Sequence, residues 1–108
     1  MDIQCLVLGQ LGVNSYLLAH DKEAIVIDPG DECGKILETI EKSGCELKKI
    51  LLTHGHFDHI GAVAELAEKT GAPVYVHSGD KKMLTDNSCN LSFLTGEKIK
   101  PYDKAISL

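Results

Sequence analysis

The chain has 108 residues, 44% of them hydrophobic and 25% charged, with a formal net charge of −5. That length suits one compact domain over residues 1–108, and the composition is that of a folded globule rather than a disordered chain. The acidic balance, with no run of Lys or Arg, speaks against nucleic acid or an anionic membrane as partner, and no apolar stretch is long enough to span a bilayer.

Met1-Asp2-Ile3-Gln4 lacks the charged start and apolar core of a signal peptide, so a cytoplasmic location is the default expectation. Cys5, Cys33, Cys45 and Cys89 form no C-x-x-C pair and read as reduced thiols, several of them core residues. Cys89, in a polar stretch, is the one expected at the surface.

Ile3 to Leu8 is an apolar, partly β-branched run that reads as a first strand. Gln10 to Asn14 reads as a turn, and Ser15–Ala19 and Ala24–Ile27 as two more strands joined by the polar hairpin His20-Asp21-Lys22-Glu23. Asp28-Pro29-Gly30 stops the third strand, because Pro donates nothing to a ladder and Gly permits a sharp turn. Cys33, Ile36, Leu37 and Ile40 then recur at helical spacing, with Asp31 or Glu32 near the positive end and Gly44 as the stop.

Ile50-Leu51-Leu52 is a short, wholly apolar strand of the kind buried on both faces. A second helix is expected from about Asp58 to Thr70, with Ile60, Val63, Ala64 and Ala67 inward and Gly71 and Pro73 closing it. Val74-Tyr75-Val76 makes another strand, and the β-α-β alternation from Ala24 to Val76 predicts a largely parallel sheet there. Beyond residue 78 the pattern weakens: Lys81–Thr85 suggests a short helix, Asn87–Ser92 a loop, and Lys98–Leu108 nothing definite.

His54, His56, Asp58 and His59 fall within six consecutive positions directly after a buried strand. Imidazole nitrogen and carboxylate oxygen are the donors that zinc, iron and manganese bind. In α/β sheets, ligands bind outside the carboxyl ends of strands, which is where this cluster lies. His54 and His56, spaced by Gly55, can converge on one ion, and Asp58 and His59 can face a second. Gly61 leaves room for close backbone approach in the first helical turn. Surface or N-cap roles are the plainer alternative, but so many ligands together favour a metal site.

His54-x-His56-x-Asp58-His59, with Leu52-Thr53 before it and Ile60-Gly61 after it, resembles the signature of the metallo-β-lactamase superfamily. Asn14-Ser15-Tyr16-Leu17 and Ile27-Asp28-Pro29-Gly30 resemble its upstream landmarks, in the right order. The whole chain is similar to the first half of the glyoxalase II-like hydrolases of that superfamily. The resemblance implies an α/β fold, the N-terminal half of an αββα sandwich, with a mixed sheet and helices on one face.

It also implies a dinuclear site. His54 and His56 go to the first metal and Asp58 and His59 to the second, with Asp58 the catalytic residue that orients the attacking water. Two zinc ions per complete site are implied, though iron and manganese suit the same donors. Asp28 steadies the loop or serves as a turn residue. The chemistry implied is hydrolysis by metal-activated water, with a small thioester such as an acylglutathione as substrate. Flavin-linked di-iron oxidoreductases of the superfamily carry Glu at the position of His56, which disfavours a redox role. Persulfide dioxygenase-like iron proteins share the His pattern and stay open.

The second half of that family supplies a third His for the first metal, a bridging Asp and a further His. This sequence ends before them, and the resemblance gives His77 no ligand role. Two protein ligands per metal fall short of the three that hold a catalytic zinc. A lone half-sandwich also exposes an apolar sheet face. Three resolutions are expected: the chain is a piece of a longer protein, it pairs with a separate C-terminal half, or two copies form a homodimer, the last being preferred. A non-catalytic metal-binding or self-associating module is the competing reading and a metal-free structural protein the third.

Overall fold

Apolar and β-branched alternation builds the sheet. In the computed structural model, the described residues are 2–8, 12–53, 61–78, 81, 84, 102 and 104–107. Among them, six strands pair in chain order: β1 (Asp2–Leu8), β2 (Val13–His20), β3 (Glu23–Ile27), β4 (Glu46–Leu51), β5 (Val74–Val76) and β6 (Ile106–Ser107). β1–β2 and β2–β3 are antiparallel, whereas β3–β4, β4–β5 and β5–β6 are parallel. Helix α1 (Cys33–Ser43) connects β3 to β4, and α2 (Val63–Thr70) lies between β4 and β5. The helices touch each other and both touch β4, so they cover the same face.

The register sorts the side chains. Leu17, Val26, Ile50 and Val74 lie side by side across four strands and are buried beneath the helices with Ile36, Ile40, Val63 and Leu66. The opposite face carries the alternate residues: Ile3, Leu18 and Ile25 in one row, and Cys5, Tyr16, Ile27, Leu51, Tyr75 and Ile106 in the next. Here Ile3 is 65% exposed, Val7 58% and Ile106 45%, so this apolar face is open. Lys49, on the same face, lies over the Tyr75 ring at 5.8 Å from its centroid.

Several local expectations are corrected. Asn14 pairs with Val7 within β2 instead of belonging to a turn. The hairpin tightens to Asp21 and Lys22, both at positive φ (49° and 64°), while His20 and Glu23 pair in the ladder. Two such residues match the right-handed twist of the strands they join. Asp31 and Glu32 do lie at the positive end of α1 as expected, Glu32 being its N-cap, and Asp31 Oδ1 accepts the Glu32 N–H at 2.7 Å. β4 begins at Glu46, and Leu51 is only half-buried because it points to the open face. Thus the 50–52 run is not buried on both sides.

The described part of the second helix begins at Val63, with Gly61 and Ala62 in a turn before it; 58–60 lie outside the described residues. Its inner face includes Leu66 beside the expected Val63, Ala64 and Ala67. Gly44 and Gly71 cap the two helices at φ 71° and 74°, a left-handed conformation that favours Gly. Of Lys81–Thr85, only Lys81 and Leu84 are described, and Leu84 is buried, its carbonyl accepting the Tyr102 N–H at 2.8 Å. Strand β6 was not foreseen, since two residues carry no periodicity. Among the described residues no helix is long and apolar enough to cross a membrane.

Gly34 offers a simple check on α1. It is an exposed helical residue, and a Cβ there meets nothing within 4 Å. Gly34→Ala is expected to stabilise the protein by about 0.5 kcal/mol, through reduced freedom of the unfolded chain. The check is a higher urea midpoint at unchanged m value.

Candidate metal centre

The parallel strands bring three segments to one edge. Asp28 follows β3, Leu52-Thr53 follows β4 and His77 follows β5, all at carboxyl ends. Such edges are where open α/β sheets bind ligands. The expected donors His54, His56, Asp58 and His59 lie outside the described residues, but the residues on both sides of them are described.

Asp28 organises this edge. It is 4% exposed, and its backbone is left-handed at φ 54°, a conformation that Asp tolerates better than most side chains. Its N–H donates to the Leu51 carbonyl at 2.9 Å, extending the β3–β4 pairing beyond Ile27. Its carboxylate accepts the Thr53 N–H at 2.8 Å on Oδ1 and the Thr53 hydroxyl at 2.6 Å on Oδ2. Asp28 therefore holds the residue directly before His54; of the two roles its sequence left open, these bonds to Thr53 are those of a steadying residue. Ser15, the other buried polar residue among those described, donates its hydroxyl to the Ile27 carbonyl at 3.0 Å and supports the same strand end.

The far flank meets the same turn. Ala62 donates its N–H to the Pro29 carbonyl at 2.9 Å. A Cβ on Gly61 would overlap the Gly30 carbonyl oxygen. The close approach expected of Gly61 is thus real, but its partner is the Asp28–Gly30 turn rather than a helical turn of its own. Sequence reasoning quoted Thr53 without giving it a task, and nothing in the spacing marks the Pro29 carbonyl.

Other candidate chemistry at this edge is weaker. The Cys33 thiol is pushed up from its usual range, first by burial and next by the Glu65 carboxylate, so it stays protonated and is a poor metal ligand or nucleophile. Cys45 is half-buried and Cys5 is exposed on the open sheet face, while Cys89 lies outside the described residues. His77 is exposed just after β5. An open depression of about 290 Å³, lined by Leu18, His20, Glu23, Ile25, Lys48 and Lys49, sits at the opposite end of the sheet and takes no part in this edge.

The comparison with known families decides the lineage: residues 8–103 match the model of the metallo-β-lactamase superfamily. This chain belongs to that superfamily. The metallo-β-lactamase relatives include a probable metallo-hydrolase, YqgX, of Bacillus subtilis (strain 168). It is 43% identical over 102 residues, which are 92% of this chain and 48% of that protein. A hydroxyacylglutathione hydrolase of Dechloromonas aromatica (strain RCB) is 43% identical over 86% of this chain and 33% of its own length. Among solved structures, the BLEG-1 B3 metallo-β-lactamase aligns with a TM-score of 0.91 at 35% identity, covering 99% of this chain and 52% of that one. The di-iron-bound form of TTHA1623 aligns at 0.84 and 37%, covering 97% and 53%. The mixed sheet with helices on one face is therefore the metallo-β-lactamase fold, and the chain spans about half or less of the relatives it matches.

Proposed function

We propose that this chain carries the first half of a metal-dependent hydrolase site that acts on thioesters of the acylglutathione class. His54 and His56 hold one ion, and Asp58 and His59 the second. The observation that carries the reading is the double attachment of this donor stretch, through Thr53 and Ala62, to one buried turn at the carboxyl edge of the parallel strands. The donor chemistry fits zinc, iron or manganese, and the superfamily is metal-dependent. Similarity to a hydroxyacylglutathione hydrolase supports the thioester, and similarity to a di-iron-bound protein favours iron as the second choice to zinc.

Divalent ions bound there supply Lewis acidity and an acidified water. With the ions bound, Asp58 would accept a hydrogen bond from the attacking water and orient it. Asp28 holds Thr53, the residue directly before the first His pair.

A catalytic zinc normally holds three protein ligands, and this chain offers two per ion. The remaining ligands come from a second half, which also covers the open face that bears Ile3, Val7, Tyr16 and Ile106. A second copy of this chain is the preferred occupant for residues 1–108 alone.

Elemental analysis with light scattering tests the reading. Protein equilibrated with zinc and freed of excess is expected to retain bound metal as a dimer, and to hydrolyse an acylglutathione. His56→Ala and a chelator are expected to abolish both retention and turnover. Retention no better than that of His56→Ala would show the donors to be a remnant. Turnover of a β-lactam in place of the thioester would move the substrate class towards the lactamases.

A further inference from the structure

The donor stretch is tied at both flanks to three consecutive residues. Before it, Thr53 gives its N–H and hydroxyl to the Asp28 carboxylate. After it, Ala62 gives its N–H to Pro29, and Gly61 packs bare against Gly30, whose carbonyl carbon lies 3.1 Å from where a Cβ on Gly61 would stand. Asp28 and Gly30 can be no more than roughly 7 Å apart, whereas seven extended residues reach roughly 23 Å. The turn therefore dictates a short span between flanks that the chain alone leaves free.

We propose that the Asp28–Gly30 turn is a two-ended clamp, with Gly61 its far-side positioning residue. Gly61 is required because any side chain would lift the far flank off the Gly30 carbonyl. The lift would lengthen the span between Thr53 and Gly61, the two ends of the donor stretch. The consequence for metal rests on the function proposed above; the clamp itself does not. Groups that orient metal ligands from behind commonly change affinity by about 10- to 100-fold when altered.

The test uses the whole chain, with chymotrypsin and cobalt(II) as probes. Phe57 lies between the two flanks, so cleavage after Phe57 in metal-free protein reports how firmly they are held. Gly61→Ala is expected to speed that cleavage about tenfold and to weaken cobalt(II) binding about tenfold, with altered visible band intensity. Thr53→Val, which removes one donor to Asp28, is expected to act in the same direction, and Thr53→Ser to restore wild-type behaviour. Gly34→Ala, whose added methyl enters open space, is expected to leave cleavage and cobalt binding unchanged. Wild-type cleavage rates in both Gly61→Ala and Thr53→Val would overturn the clamp. If Gly61→Ala fails to fold, the Thr53 pair decides alone. If wild-type protein takes up no cobalt, the metal reading falls while cleavage after Phe57 still decides the clamp.

Discussion

Asp28→Ala is expected to destabilise the protein by about 4–5 kcal/mol and to lower metal retention at least about tenfold. Two bonds to a buried carboxylate are lost, each worth about 1.5–3 kcal/mol. Thr53 is exposed, so water recovers part of that loss and the lower end of the range applies. Ala must also adopt the left-handed backbone of residue 28, at roughly 1–2 kcal/mol. Asp28→Asn keeps one acceptor and tolerates φ 54°, so a loss of about 1.5 kcal/mol, that of one bond, is expected. Asp28→Gly removes the strain and both bonds, which separates the two causes. Urea denaturation of the metal-free series measures them. Wild-type stability in both the Asn and Gly variants would mean that the bonds to Thr53 contribute nothing.

Leu66→Ala should cost about 3–4 kcal/mol, because Leu66 is fully buried between α2 and the sheet and its removal leaves a cavity. Domains hold only about 5–15 kcal/mol in total, so the change consumes a large share of the margin. Ile3→Ala is the informative contrast. Ile3 is 65% exposed on the open sheet face, and its truncation is expected to cost less than about 0.5 kcal/mol when nothing covers that face. A loss approaching that of Leu66→Ala would show the face to be covered in solution, and its dependence on protein concentration would identify a second copy as the cover.

Much of this architecture was legible in order along the chain. The strand-breaking Asp28-Pro29-Gly30, the helical spacing of Cys33, Ile36 and Ile40, and the stops at Gly44 and Gly71 are local signals, and the structure follows them. The candidate donors His54, His56, Asp58 and His59 are read from residue types at short spacing alone, and they lie outside the described residues. Boundaries were less legible. Asn14 has turn chemistry yet pairs with Val7, since a ladder across seven residues of β1 outweighs one residue's preference. β6 is two residues long and exists only because β5 presents an edge to it.

The amino-acid sequence by itself determined the order of elements, the parallel run from β3 to β5 and the residue types available to hold a metal. Periodicity and turn chemistry act over a few residues, and those features need nothing longer. Tertiary structure alone decided that Asp28 reaches Thr53 across 25 residues and that Gly61 seats on Gly30. Those outcomes depend on strand register and helix placement. A contact between distant segments leaves no periodic trace in either one, so the sequence could mark Gly61 for a close approach but could not name Gly30 as its partner.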